Sequence, residues 1–122
     1  MAEIILAGQT FRLTHHAMLK RHRFEAFAKV DDSFVYAGGV TAYRTASHIV
    51  IHDLFITEAY RRKGLARTLL GAAVKARKRC SSSLKVYADN HGAIALYTSL
   101  GFVERKREGL KQPLLTMFRQ HQ

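Results

Sequence analysis

The sequence predicts a mixed α/β protein with a single central, mostly antiparallel sheet flanked by helices. The first half of the chain alternates apolar and polar residues with a period of two, which is typical of strands. The second half contains two stretches in which apolar residues recur at helical spacing, and a strand-like run follows each of them. The predicted order is therefore a β-meander, then helix, strand, helix, strand and strand.

Length and composition indicate one globular domain over residues 1–122. Hydrophobic residues make up 48% of the 122, enough to bury a core, which excludes an intrinsically disordered chain. The single cysteine, Cys80, excludes an internal disulfide framework. No apolar run is long enough to span a bilayer, and residues 1–8 do not resemble a secretory signal. We therefore expect a cytoplasmic protein without a membrane partner, either a monomer or a homodimer.

The chain carries a large excess of positive charge. It contains 20 Lys and Arg against 9 Asp and Glu, a formal net charge of +11. This charge favours an anionic partner, and the candidates are nucleic acid, an acidic membrane surface or a ligand that carries phosphates. Net charge alone does not choose among them.

Most of the N-terminal half is predicted to form strands. Residues 23–30 and 34–45 form a predicted hairpin, joined by a turn at residues 31–33. The pair Gly38-Gly39 in the second arm indicates a β-bulge, or a place where backbone or ligand approaches closely. Ahead of this hairpin, the pattern predicts short strands at 3–7 and 11–14 and a turn or helical piece around 17–22.

Residues 48–56 are predicted to be the central strand. The run is rich in β-branched residues and apolar on both faces, as expected of a strand that is covered on both sides. Strand alternation places His52 on the same side as Val50, Leu54 and Ile56.

The longer of the two predicted helices starts at Gly64 and extends to Cys80. Its apolar residues recur at helical spacing over about four turns. A run of three serines, residues 81–83, is predicted to end it.

The shorter helix is predicted to begin after Asp89-Asn90, which can cap its first turn, and to end at Gly101. The apolar face of this helix consists of Ala93, Leu96, Tyr97 and Leu100. The remaining predicted strands are residues 84–88, 102–107 and 114–119.

Residues 60–67 combine three consecutive cations with the predicted start of the longer helix. The first N–H groups of a helix lack backbone partners, and an adjacent Gly lets a phosphate approach them, so this segment favours anion binding. The alternative is a solvated basic helix entry, but the position between a buried strand and a helix favours the anion site. The segment is neither a Walker loop nor a dinucleotide fingerprint, because Gly-x-x-x-x-Gly-Lys and Gly-x-Gly are absent.

Two blocks of sequence are more informative together than separately. The first, residues 54–70, contains the basic loop and the helix start, and the second, residues 87–102, carries Asn90, Ala93 and Tyr97 ahead of Leu-Gly-Phe. In this order and separation they resemble the GNAT superfamily of N-acetyltransferases. The resemblance implies a GNAT-like acyl-CoA N-acyltransferase fold and acetyl-coenzyme A (acetyl-CoA) as cosubstrate.

The resemblance also implies roles for individual residues. The backbone of residues 54–56 would pair with the pantetheine arm of the cofactor, and the loop at 61–66 would wrap its pyrophosphate. Asn90 would lie beside the arm, and Tyr97 would act as the general acid for the departing thiolate, the alternative being a core aromatic. The implied cofactor-binding residues are Leu54, Phe55, Ile56, Arg61, Arg62, Lys63, Gly64, Leu65, Ala66, Arg67, Asn90, Ala93 and Tyr97.

A general base is harder to assign. Some family members carry a Glu six residues before the position that matches Ile56, and here Val50 stands in that place. A histidine side chain titrates near neutrality, so His52 is the candidate, with a structural histidine or a chain of water molecules as alternatives. His48 and His52 share a strand face but lie too far apart for a chelate, so we predict no metal.

These features lead to a predicted N-acetyltransferase that transfers the acetyl group directly to an amine of an unidentified acceptor. The acceptor could be a protein, an aminoacylated RNA or a small molecule. Full-length members place two helices between the first two strands, and this shorter N-terminal half predicts an open acceptor groove, whose positive surroundings favour a macromolecular or acidic acceptor. The alternatives are a non-catalytic acetyl-CoA-binding regulatory domain that acts through a protein partner and, less favoured, a nucleic-acid-binding module suggested by the basic residues at 75–79.

Overall fold

The computed structural model describes residues 2–76 and 80–120. In chain order, the helices and strands of this part are β1 (Ala2–Leu6), β2 (Gln9–Ala17), β3 (Arg21–Val30), β4 (Ser33–Arg44), β5 (His48–Ile56), a 3₁₀ turn (Glu58–Tyr60), α1 (Leu65–Val74), β6 (Ser81–Tyr87), α2 (His91–Ser99), β7 (Val103–Glu108) and β8 (Leu114–Arg119). This order is the predicted one.

The strands form one eight-stranded sheet in the order β1-β2-β3-β4-β5-β6-β8-β7. Neighbouring strands are antiparallel except β5 and β6, which are parallel. The parallel pair arises because α1 carries the chain from β5 back to the start of β6. The predicted mixed α/β class and the single, mostly antiparallel sheet are therefore confirmed.

The helices α1 and α2 lie on the same face of the sheet. α1 packs against β3, β4 and β5, and its first turns contact α2 through Arg67, whose Nη2 donates a 2.9 Å hydrogen bond to Ser99 Oγ. The helix residues buried here include Leu65, Leu69, Leu70, Ala73 and Tyr97. The buried strand residues beneath them include Phe11, Ala26, Ala28, Val40, Ala42, Ile49, Ile51, Leu84, Val86, Leu115 and Met117. This helix-covered face contains the core.

The opposite face, called the open face below, carries Arg23, Thr41, His52 and Phe55. No helix described within residues 2–76 or 80–120 covers it, and Phe55 is 51% exposed. β5 lies in the middle of the sheet as predicted, but the expectation that it is covered on both sides is wrong. The reason is that tight turns, rather than helices, connect the first four strands.

The segment around residues 17–22 is a hairpin turn. β2 extends to Ala17, β3 begins at Arg21, and the N–H of Met18 donates to the carbonyl of Arg21 at 2.8 Å. The helical alternative for this segment is wrong because cross-strand pairing continues as far as Ala17 opposite His22.

α1 is shorter than the predicted helix. It ends at Val74 with Lys75 as its C-cap, so Cys80 is not part of it. The basic stretch at 75–79 lies partly outside the described residues, which omit 77–79. Within the described residues, no helix is long and apolar enough to cross a membrane.

The prediction that the three serines at 81–83 end the longer helix is wrong, because α1 ends at Val74 and these serines begin β6. They pair in parallel with residues 48–50 of β5, and Ser82 is completely buried. The pairing supplies partners for their backbone groups, and this outweighs the turn preference of serine.

Candidate active site

The two central strands, β5 and β6, separate part-way along their length. Their parallel pairing covers residues 48–50 against 81–83 and does not continue into the second half of either strand. A cavity of about 260 Å³, called the slot below, lies between the separated segments. Its lining comes from residues 51–54 of β5, residues 84–87 of β6, Asn90 and Tyr97. The slot therefore passes between two strands and has walls from both faces of the sheet.

A β-bulge in β5 lies beside this separation. Thr41 of β4 pairs with His52, and Gly39 pairs with Phe55, so two steps along β4 correspond to three steps along β5. The extra residue is accommodated at Asp53, whose φ of 56° is in the left-handed region.

The bulge reverses the side-chain alternation of β5. Beyond it, Leu54 and Ile56 share the helix-covered face with Ile51, whereas His52 and Phe55 lie on the open face. The expectation that His52 lies on the same side as Leu54 and Ile56 is therefore wrong. Simple alternation assumes an uninterrupted ladder, and the inserted residue shifts the pattern by one position.

A larger cleft of about 700 Å³ opens on the helix-covered face between α1, α2 and the end of β5. It brings together the predicted site residues Leu54, Ile56, Arg61, Arg62, Gly64, Leu65, Ala66, Arg67, Asn90, Ala93 and Tyr97. Tyr60, Gly92 and Leu96 also line it; they lie within the two informative blocks of sequence but were not among the predicted site residues. Two predicted cofactor-binding residues are not in its lining: Phe55 lies on the open face, and Lys63 is half-buried outside the cleft.

The start of α1 forms one end of this cleft. Gly64 is the N-cap, with φ of 86°, and no side chain caps the helix. The first helical hydrogen bond is donated by the N–H of Thr68 to the carbonyl of Gly64, which leaves the N–H groups of Leu65 to Arg67 without a helical partner. These free donors, together with the positive end of the helix dipole, make a site suited to phosphate.

Two arginines border the free amides. Arg61 is held in place because its Nε donates a 2.9 Å hydrogen bond to the carbonyl of Ile56. Arg62, like Gly64, has a positive φ, 64°, so the loop curls tightly just before the helix. Both side chains line the cleft and add charge-assisted donors for an anionic ligand.

Tyr97 and Asn90 lie where the cleft meets the slot, because both residues, with Leu54, line both cavities. The ring of Tyr97 is buried and packs edge-on against Phe102, with ring centroids 6.2 Å apart. Burial raises the pKa of the Tyr97 phenol above its ordinary value. Asn90 accepts a 3.2 Å hydrogen bond from the N–H of Ala93, which confirms its predicted role as the N-cap of α2.

The open-face end of the slot carries polar side chains. His52 Nδ1 and Asp53 Oδ2 are 2.9 Å apart, and Lys85 and Tyr87 line the other wall. Sequence reasoning missed Asp53 because alternation places it on the other side of the strand. The polar pair His52-Asp53 inside an otherwise apolar strand was the available signal for the bulge. No group of three His, Cys, Asp or Glu side chains that could hold a metal ion occurs among the described residues.

Comparison with known proteins identifies the fold and the family. The model of the acetyltransferase (GNAT) family matches residues 6–102. The chain belongs to the GNAT acetyltransferase family. Two curated relatives match parts of the chain, and one of them is named as an acetyltransferase. An N-alpha-acetyltransferase of Saccharolobus solfataricus is 40% identical over 63 residues, and an uncharacterised protein of Mycobacterium leprae is 34% identical over 86 residues.

These relatives are much longer than the matched segments. The matches cover 48% of this chain and 36% of the Saccharolobus protein, and 69% of this chain and 23% of the Mycobacterium protein. The chain therefore matches about a third of one relative and a quarter of the other.

Solved structures share the GNAT fold at low sequence identity. The ribosomal-protein-S18-alanine N-acetyltransferase of Escherichia coli superposes with a TM-score of 0.73 at 22% identity, covering 86% of this chain and 72% of that chain. Arabidopsis thaliana NAA60 in complex with a bisubstrate analogue gives a TM-score of 0.70 at 21% identity, covering 83% and 75%. Other GNAT structures of similar fold contain acetyl-CoA or coenzyme A.

Proposed function

We propose that this GNAT protein is an N-acetyltransferase that transfers the acetyl group from acetyl-CoA directly to an acceptor amine. The observation that carries the proposal is the position of Tyr97 at the junction of the cleft and the slot. A cofactor entering from the helix-covered face and an acceptor entering from the open face would meet beside this phenol.

The cleft fits the cofactor in size and chemistry. Its volume of about 700 Å³ is within the range of small-molecule sites. The free amides at the start of α1, with Arg61 and Arg62, would hold the pyrophosphate, and Ala66 keeps its amide accessible because its side chain is small. The half of β5 that does not pair with β6 would offer its backbone to the pantetheine arm.

The proposed reaction uses two side chains, the Tyr97 phenol as the acid and the His52 imidazole as the base. The acceptor nitrogen attacks the thioester carbonyl, and the departing sulfur receives a proton from the Tyr97 phenol. A phenol carries its proton at neutral pH and can donate it to the more basic thiolate, and burial raises the pKa of Tyr97 further in the same direction. Most of the acceleration comes from positioning the two substrates in the slot.

His52 would act as the base for the acceptor. It lines the slot, and Asp53 Oδ2 lies 2.9 Å from its Nδ1. In the neutral imidazole this contact favours a proton on Nδ1, which leaves the Nε2 lone pair available to accept a proton from the amine.

We propose a polypeptide N-terminus with acidic residues near it as the acceptor. The Saccharolobus relative is named an N-alpha-acetyltransferase, which favours an α-amine. Lys85 at the slot and the net charge of +11 favour an acidic acceptor and would repel a polycationic amine. The open face gives an extended chain access to the slot.

Calorimetric titration with acetyl-CoA, followed by a thiol-release assay, tests this function. We expect saturable binding and release of coenzyme A when a peptide with a free N-terminus is added. An N-terminally blocked peptide of the same sequence is the control and should release none. Failure to bind acetyl-CoA at millimolar concentration would refute the proposal, and binding without transfer to acidic, neutral or basic peptides would favour the non-catalytic alternative.

A further inference from the structure

A polar cluster centred on Arg23 lies on the open face beside the slot. Arg23 Nη1 donates to Thr41 Oγ1 at 3.1 Å and to the carbonyl oxygen of Asp53 at 3.3 Å, and Nη2 donates to the hydroxyl of Tyr36 at 3.0 Å. Glu25 Oε2 is 3.6 Å from Nε. Arg23 belongs to β3, so its side chain crosses the whole width of β4 to reach β5.

Gly39 of β4 makes this crossing possible. A Cβ at this position would lie 2.5 Å from Arg23 Nη2 and 2.8 Å from Cζ. The guanidinium therefore occupies the space that any larger residue would fill. The neighbouring Gly38 plays a similar part, because a Cβ there would lie 2.5 Å from the carbonyl oxygen of Phe55. Gly38 thus accommodates the β5 backbone, and Gly39 accommodates the Arg23 side chain.

The atom that Arg23 reaches on β5 belongs to the bulge. Asp53 is the left-handed residue and has no register partner on β4, whereas His52 and Phe55 on either side of the bulge are paired. A charged donor to the Asp53 carbonyl stabilises this unpaired peptide group.

We infer that Arg23 is a positioning residue: it holds the bulge of β5 and thereby keeps Leu54 in the cleft and the His52-Asp53 pair in the slot. Its effect on the bulge is a property of the fold, and its effect on acetyl transfer rests on the proposed function. Arg23 does not line either cavity, so it acts through β5 rather than by touching the substrates.

Hydrogen exchange of the β5 amides, measured by mass spectrometry on the full chain without ligand, tests the inference directly. In R23A, we expect residues 53–56 to exchange about tenfold faster or more, the size expected when hydrogen bonds from a charged donor are lost. Millimolar ethylguanidinium, which can enter the space left by the side chain, should restore part of the protection.

Arg12 provides a matched control on the same face. Its guanidinium lies 3.8 Å from the ring centroid of Phe34 and pairs with Glu3 at 3.7 Å, with no contact to β5. R12A should leave exchange at residues 53–56 unchanged. Equal acceleration in R12A and R23A, or none in R23A, would overturn the inference.

G39A supplies a second route to the same result while Arg23 is kept. The added methyl displaces the guanidinium, so exchange at residues 53–56 should again rise about tenfold, and G39A should add little in the R23A background. If R23A does not fold, R23K decides the question, because an ammonium cannot make the same set of contacts and the bulge should still loosen, whereas the G39A methyl would also lie 3.0 Å from the Phe24 carbonyl oxygen. Fully additive effects of R23A and G39A would contradict the inference.

Acetyl-CoA affinity and turnover separate this inference from the proposed function. If the wild-type protein binds and uses acetyl-CoA, R23A should weaken binding and lower kcat by about tenfold each, and R12A should do neither. If the wild-type protein does not bind acetyl-CoA but R23A still loosens residues 53–56, the proposed function fails and the role of Arg23 in the bulge stands.

Discussion

The cleft and the open-face end of the slot are built in contrasting ways. The cleft is formed almost entirely by two contiguous segments of the chain. One runs from the end of β5 into the start of α1, and the other is the first two turns of α2. The open-face end is lined by β5 and β6, and Arg23 of β3 supports it from outside by a contact with the Asp53 carbonyl, so its parts are far apart in sequence. Local segments can present backbone donors wherever they fold, whereas the slot depends on how strands pair across the sheet.

This contrast explains which parts of the site the sequence could predict. The free amides that follow Gly64 and the cap formed by Asn90 are features of helix starts. Such features depend only on neighbouring residues, so the sequence indicates them directly. The bulge at Asp53 is set by pairing between β4 and β5, so alternation along β5 alone correctly groups His52 with Val50 but wrongly groups it with Leu54 and Ile56. The Arg23 contacts depend on the same pairing and have no local signal.

The same difference between local features and strand pairing separates the parts of the fold that the sequence predicts from the parts that it does not. Strand β8 and the end of α2 at Gly101 are predicted closely, because alternation and a left-handed glycine are local features. The sequence does not predict the early end of α1 at Val74 or the strand at 81–83, because parallel pairing with β5 determines where β6 starts. Local sequence thus predicts element types better than their ends.

Removing the Tyr97 hydroxyl should have the largest effect on turnover, because Tyr97 lines both the cleft and the slot. Y97F should lower kcat by about a hundredfold while acetyl-CoA affinity stays nearly unchanged, as expected for a general acid. The buried ring keeps its packing on Phe102, so the unfolding midpoint should change little. Steady-state kinetics and calorimetry check this, and wild-type kcat in Y97F would show that Tyr97 is only a core aromatic.

A charge placed in the cleft should affect cofactor binding alone. A66E puts a carboxylate beside the free amides, where it competes with phosphate, and should weaken acetyl-CoA binding about tenfold or more. It should not destabilise the protein, because an acid at a helix start is favourable. A95E makes the same change on an exposed part of α2 outside the cleft. Equal affinities of A66E and A95E in calorimetry would place the cofactor elsewhere.

A change at the open-face end of the slot should affect turnover but not cofactor binding. H52Q should lower kcat about fivefold, less than Y97F, because water can replace an imidazole whose side chain is 43% exposed. H48Q is the matched control, since His48 lies four residues away, bonded to Thr45 at 3.0 Å and outside the slot. The same loss in both variants would remove His52 from the mechanism.

The smallest expected effect concerns the hairpin formed by β2 and β3. Partial desolvation of its ring, which stacks on Phe24, and the nearby charges of His22 and His16 lower the pKa of the exposed His15 from its ordinary value. When the pH falls through about 6.5, the ordinary pKa of a histidine, His15 takes up a proton in the unfolded chain before it does so in the folded chain. The free energy of unfolding therefore falls slightly on acidification. Urea midpoints at pH 8 and pH 5.5 should differ less in H15Q than in the wild type or in H91Q, a control on α2. An unchanged difference in H15Q would assign the acid sensitivity to other groups.

The central claim is that the cofactor lies in the cleft with its acyl end beside Tyr97, and amide chemical shifts during an acetyl-CoA titration test it most directly. We expect the largest changes at residues 64–67, 54–56 and 90–97, with β1 and β2 unaffected. Changes centred on the open face, or on β1 and β2 without a response at 64–67, would contradict it.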